Sequence, residues 1–201
     1  MKEQDYEKLL NIKTSGDQRV LYESLHYNRY EPTSYEALEV LTEHYRLTAD
    51  DSVVDFGCGK GRINFYLNHF FYSTVTGIEM NKFFYEEALD NKKSFLKINK
   101  NKVDKVNFVN CLAEKYEISP SDNKFYFFNP FSMQIFAKVV KNIQVSLEKH
   151  ERPVDIILYY PSDDFIFFLE SNTPFLLVNE IKVPSLCSFD SNFRFLIYRT
   201  T

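Results

Sequence analysis

Apolar positions recur along this chain with two periods, and the change-over falls near residue 50. Before that point the spacing is helical. Residues 3–14 place Tyr6, Leu9, Leu10 and Lys13 at helical intervals and predict a short helix. A looser segment follows to Glu31, in which Tyr22, Leu25, Tyr27 and Tyr30 mix with His26, Asn28 and Arg29. A second helix has a marked start. Thr33 and Glu36 have capping-box spacing directly after Pro32, and Leu38, Leu41 and Tyr45 give that helix one apolar face down to about Arg46.

From Ser52 onward strands and helices alternate. Strands are predicted over 52–56, 74–79, 105–110, 124–129 and 154–160, and helices from Arg62, over 82–98, from Ser132 and over 162–171. In the Ser132 helix, Phe136, Val139, Val140, Ile143 and Leu147 fall on one stripe. Residues 154–160 are apolar almost throughout, as a central strand covered on both faces must be. The last two strands, 175–183 and 193–199, have no predicted helix between them and should pair antiparallel across 184–192. The pattern is α/β: a doubly wound, mostly parallel sheet of seven strands, closed by a C-terminal antiparallel hairpin and preceded by a helical segment. The expected organisation is a single domain over 1–201, with 1–50 as a helical cap and 51–201 as the α/β core.

Composition narrows the picture. The chain has 201 residues, 44% hydrophobic and 26% charged, with 17% aromatic residues that are all Phe and Tyr. The net charge of −4 forces neither nucleic acid nor an anionic membrane as partner. The tract Lys92, Lys93, Lys97, Lys100, Lys102, Lys105 reads most simply as a solvated helix end and loop. Three widely spaced cysteines, Cys58, Cys111 and Cys187, suit free thiols in a reducing compartment, and the charged start MKEQDYEKLL lacks an apolar leader. No apolar run approaches the ~20 residues of a membrane helix. A cytoplasmic protein is expected. The four histidines are scattered without metal-ligand spacing, and no metal is expected.

The candidate chemistry starts at VVDFGCGKGR, residues 53–62. A β-branched strand ends near Asp55, and Gly57, Gly59 and Gly61 then lead into a helix. Such a turn brings backbone amides close to a ligand, because glycine has no Cβ to hold it off. A dinucleotide fingerprint needs a third glycine where Arg62 stands, and no phosphate-binding G-x-x-x-x-G-K-[ST] run occurs. The bland alternative is a packed glycine turn that binds nothing. The acidic residue followed by G-x-G-x-G resembles motif I of the class I S-adenosylmethionine-dependent methyltransferases. That resemblance implies a Rossmann-like α/β fold, S-adenosylmethionine as cofactor, and Asp55, Gly57, Gly59 and Gly61 as cofactor-binding residues.

In such a sheet ligands sit outside the carboxyl ends of the strands. The second strand delivers Glu79, 24 residues beyond Asp55, close to the spacing at which an acidic residue holds a ribose diol. Its alternative role is a carboxylate at a helix N-terminus. The third strand delivers Asn110, Cys111 and Leu112. The resemblance implies an adenine contact there, where many members carry an acidic residue. Here Cys111 stands at that place, with Asn110, Glu114 or a backbone amide as substitutes, and a plain strand end as the alternative. The fourth strand ends in Asn129, Pro130 and Phe131. These residues resemble the N-P-P-[YF] of methyltransferases acting on amino groups, although only one proline is present and the aromatic comes one place earlier. The resemblance implies that Asn129 and the Pro130 carbonyl accept hydrogen bonds from the target nitrogen, with Phe131 as the aromatic. A strand stop and helix cap is the competing reading.

The run YEPT at 30–33 resembles that of small bacterial proteins of the same superfamily, which implies Tyr30 and Thr33 near the methionine end of the cofactor. A helix N-cap is the alternative for Thr33. At the fifth strand, Tyr159 reads as core and Tyr160 as possible pocket lining. The expectation is methyl transfer to an amino nitrogen of RNA, protein or a small molecule. The alternative is a module that binds S-adenosylmethionine without turnover.

Overall fold

The computed structural model describes residues 1–15 and 31–200. Strands β1 (Ser52–Phe56), β2 (Thr74–Ile78), β3 (Val106–Val109), β4 (Lys124–Phe127), β5 (Asp155–Tyr159), β6 (Phe175–Lys182) and β7 (Arg194–Thr200) form one sheet in the order β3-β2-β1-β4-β5-β7-β6. The first five are parallel, and β7 runs antiparallel between β5 and β6, with Tyr159 opposite Phe195. The predicted mostly parallel sheet with its terminal hairpin is therefore observed. One detail differs: the connection between β6 and β7 contains a single helical turn, Pro184–Cys187, where the sequence predicts none. Pro184 at its first position carries the preset backbone angle that starts such a turn.

Alternation along the strands sorts side chains into two cores. Val53, Val75, Tyr126, Ile157 and Tyr159 face one side, covered by helices α1 (Glu3–Leu10), α2 (Tyr35–His44), α3 (Arg62–Phe71) and α4 (Lys82–Ile98). Val54, Phe125, Phe127, Ile156 and Leu158 face the other, covered by α5 (Met133–Lys149) and α6 (Asp163–Asn172). The predicted stripe of α5 is buried at Phe136, Val139, Val140 and Ile143. Each such side chain contributes roughly 1.5–3 kcal/mol. No helix among the described residues is long and apolar enough to cross a membrane.

The N-terminal helices differ from expectation at both ends. α1 stops at Leu10, short of the predicted residue 14, because Asn11 turns left-handed (φ 54°) and its N–H and that of Ile12 close back on Lys8 and Glu7. The Glu7 carboxylate then accepts the N–H and hydroxyl groups of Thr14 and Ser15. The cap of α2 is Ser34, whose Oγ accepts from Ala37 N–H at 3.2 Å, one residue beyond the predicted Thr33.

What ties this segment to the α/β core is Arg62, the residue that spoils the dinucleotide fingerprint. It is 4% exposed. Its Nε donates to Thr14 Oγ1 at 2.7 Å and its Nη1 to the Thr33 carbonyl at 3.3 Å, while Nη2 pairs with Glu3 and Glu7. The guanidinium lies 4.6 Å from the Tyr35 ring centroid. The planar, multiply donating head suits five partners on α1, α2 and the loops beside them. Removing it leaves the carboxylate of Glu7 and the Thr33 carbonyl without their buried partner. Arg62→Ala should therefore cost about 3 kcal/mol in urea unfolding. A loss below about 1 kcal/mol would show that Tyr6 and Leu10 hold the segment by apolar contact alone.

Candidate functional site

Strand order reverses between β1 and β4, so the cleft of this sheet opens at their carboxyl ends. The glycine loop sits there. Gly57, Gly59 and Gly61 have φ of 81°, 54° and 84°, left-handed values that L side chains resist. The N–H groups of Gly57 and Cys58 both bond the Ile78 carbonyl, at 2.9 and 3.1 Å. A Cβ on Gly57 would stand 2.7 Å from Pro130 Cβ, and one on Gly61 would stand 2.6 Å from the Phe108 ring. Asn91 of α4 donates to the Lys60 carbonyl at 3.1 Å. The loop is thus clamped from β2, β3, α4 and the segment after β4.

Two carboxylates stand beside it. Glu79, 8% exposed, accepts from Gly59 N–H at 2.9 Å and from Asn81 N–H at 2.7 Å. It orders both the glycine loop and the start of α4, the helix-terminus role expected of it. Asp55, 3% exposed, faces Asn64 of α3. That amide, oriented with nitrogen toward the carboxylate, donates to Asp55 Oδ2 at 3.0 Å and accepts from Gly77 N–H at 2.9 Å. Burial, reinforced by the Glu79 charge, pushes the Asp55 carboxyl up to about 8, and the Asn64 donation works in the opposite sense. Burial also raises Glu79, against the pull of its backbone donors. Sequence reasoning missed Asn64. Its only signal is an amide between Ile63 and Phe65 at a fully buried helix position.

The segment after β4 is divided. Asn129 holds a left-handed backbone at φ 40°, and Pro130 packs on Gly57. Phe131 is 2% exposed and packs edge-on to Phe127 at 6.1 Å in the second core. The ring beside Asn129 on the other face is Phe128, 4.7 Å from Tyr159. Thr33 is 2% exposed and its Oγ1 bonds the Tyr126 hydroxyl at 2.8 Å. Tyr30 lies outside the described residues. At the end of β5 Tyr159 is buried, whereas Tyr160 is half-buried and also left-handed, at φ 49°.

Known structures share this fold. A methyltransferase from Thiobacillus denitrificans in complex with S-adenosylhomocysteine is 14% identical, with 84% of this chain and 92% of that one covered at a TM-score of 0.55. An RNA methyltransferase from Salinibacter ruber, also with S-adenosylhomocysteine, is 16% identical over 85% and 93% of the two chains, TM-score 0.52. The chain has the class I methyltransferase fold. The [4+2]-cyclase SpnF aligns too, at 12% identity over 88% and 87%, TM-score 0.59, so the fold alone does not choose the reaction. No protein-family model and no curated protein sequence matches the chain.

Within this fold β2 and β3 end side by side. Asn110 Nδ2 donates to the carbonyls of Glu79 (2.7 Å) and Met80 (3.1 Å), bracing the turn that carries Glu79. Cys111 is half-buried against the second core, and burial together with Glu114 raises its thiol. Met80 and Leu112 are exposed by 37% and 41% beside them. Sequence reasoning set Leu112 at the end of the third strand without a role of its own and passed over Met80. Large apolar side chains left uncovered at a cleft mouth are its missing signal.

The buried carboxyls set a pH dependence. A carboxyl whose folded pKa lies above its ordinary 3.8 keeps a proton that the unfolded chain releases. That stabilisation is complete below about pH 4 and is lost as pH rises toward about 8. The ligand-free wild type should lose stability relative to Asp55→Asn between about pH 5 and pH 8, read as a widening gap in urea midpoints. A gap that stays constant across this range would mean Asp55 is charged throughout.

Proposed function

We propose that the protein transfers a methyl group from S-adenosylmethionine to an amino nitrogen of RNA, protein or a small molecule. The observation that carries the reading is the clamped glycine loop with Glu79 hydrogen-bonded to Gly59 N–H at 2.9 Å. The residues fit that cofactor. Gly57 and Gly61 are left-handed where a Cβ would strike Pro130 or Phe108, and Gly59, also left-handed, turns its N–H to Glu79. Glu79 has carboxylate lone pairs beyond the two amides it accepts, suited to a diol. Met80 and Leu112 offer apolar surface for a flat base, with Asn110 and Cys111 at its edge. Thr33 and Tyr30 remain candidates for the amino-acid end. When bound, the cofactor supplies an electrophilic methyl group on a sulfonium.

The chain's contribution is orientation. Asn129 and the Pro130 carbonyl accept hydrogen bonds from the target nitrogen and hold its lone pair in line, which lowers the barrier through proximity rather than through covalent catalysis. A binding module without turnover is the second reading. The burial of Phe131 favours it, since that ring then stands in the core and an acceptor must be packed by others.

Two measurements test this. Calorimetry should show saturable binding of S-adenosylhomocysteine, weakened about ten- to hundredfold in Glu79→Ala through loss of a charged hydrogen bond. Binding of NAD with neither S-adenosylmethionine nor S-adenosylhomocysteine bound would overturn the reading. A tritium-methyl screen of RNA, protein and metabolite fractions identifies the acceptor. With it, Asn129→Ala should leave cofactor affinity unchanged and lower turnover about three- to tenfold. Unchanged turnover would return Asn129-Pro130 to the role of strand terminator.

A further inference from the structure

The ends of β4 and β5 are built alike. Each finishes with an aromatic ring, then a non-glycine residue in the left-handed region, then proline: Phe128-Asn129-Pro130 and Tyr159-Tyr160-Pro161. A bulky residue at positive φ is strained by about 1–3 kcal/mol, and such strain persists where the surroundings hold it. Tyr160 is half-buried, with its ring packed at the edge of the first core.

What holds Tyr160 is the connection between β6 and β7. The antiparallel pairing of β7 on β5 returns this connection to the carboxyl end of the sheet. Tyr160 N–H donates to the Arg194 carbonyl at 3.1 Å, and the Phe193 ring packs edge-on at 5.0 Å. Its hydroxyl donates to Asp190 Oδ2 at 2.5 Å, while Asp190 Oδ1 accepts Asn192 N–H at 2.8 Å. This bond holds the Asp190 carboxyl below its ordinary range and the Tyr160 phenol above its own, so the proton stays on the phenol and the charge on Asp190. Glu31 adds negative charge nearby.

A tyrosine hydroxyl has one proton and two lone pairs. With the proton committed to Asp190, the phenol oxygen has only lone pairs to offer, and the neighbouring Asn192 amide takes at most one. We propose that Tyr160, oriented by Asp190, is a specificity-determining residue on the acceptor side of the cleft. It selects acceptors that present N–H donors over those that present only carbonyl, carboxylate or phosphate oxygens. This rests on the reading of the neighbouring Asn129 end as the place where a methyl acceptor binds.

Two neutral ring compounds separate hydrogen-bond polarity from charge: aniline, which donates, and acetophenone, which only accepts. Their binding to protein saturated with S-adenosylhomocysteine is measured by ligand-observed NMR. The wild type should prefer aniline by about three- to tenfold, the worth of one hydrogen bond. Tyr160→Phe keeps the ring and should abolish the preference. Asp190→Ala removes the acceptor, releases the hydroxyl to donate and should narrow or invert it. Equal binding of both probes to the wild type, no detectable binding of either at millimolar concentration, or a preference that survives in Tyr160→Phe would overturn the proposal. Affinity for S-adenosylhomocysteine, measured in parallel, should be equal in all three proteins. If the wild type does not bind it, the methyl-transfer reading fails, and the same probe comparison on ligand-free protein still decides the polarity of Tyr160.

Discussion

Asp55 and Glu79 end neighbouring strands with both carboxylates buried, and among the described residues neither is ion-paired. Burying such groups is costly unless donors are supplied. The chain supplies backbone and amide donors in place of cations: Gly59 and Asn81 N–H for Glu79, and the Asn64 amide for Asp55. This choice shapes everything around it. The glycine loop must curl through left-handed angles to aim Gly59 N–H at Glu79, and α4 must begin where Asn81 N–H can reach the same group. The cost of leaving these acids without cations is reflected in the Asp55 carboxyl, which burial raises so far that it keeps its proton at neutral pH.

The opposite strategy appears at the amino ends of the strands. Asp155, fully buried, is met by Lys124 at 3.0 Å, by Arg199 through two nitrogens at 2.6 and 2.9 Å, and by the Tyr45 hydroxyl. These partners hold its carboxyl below the ordinary range despite burial. One end of the sheet thus neutralises its buried acid and becomes inert structure. The other leaves its acids without cations, and perturbed groups in a cleft are the mark of a binding site.

Arg62 links the two halves of the chain through the same glycine loop. It starts α3 directly after Gly61, yet its side chain turns away from the cleft into the N-terminal segment, where Glu3, Glu7, Thr14 and Thr33 receive it. The Thr33 hydroxyl then meets Tyr126 of β4, whose strand leads to Asn129. Buried polar contacts therefore run from the residue after the glycine loop, through the N-terminal segment, to Tyr126 of β4.

The amino-acid order by itself determined the strands, most helix limits and the glycine loop, because each depends on neighbours in sequence. Val53-Val54 before Asp55 makes a strand, and no distant contact is needed to read it. It also placed Glu79 and Asn129 at strand ends, since strand ends are local properties. Tertiary structure decided which cap residue held α2, because the Thr33 hydroxyl found Tyr126 and Ser34 took the N-terminus. It decided that Phe131 turns into the second core while Phe128 lies beside Tyr159, a choice set by strand alternation and the helices covering each face. And it alone brought Asp190 to Tyr160, 30 residues apart, by folding β7 back against β5. Pairings of that kind arise from chain closure and packing, and no periodicity or motif in the sequence encodes them.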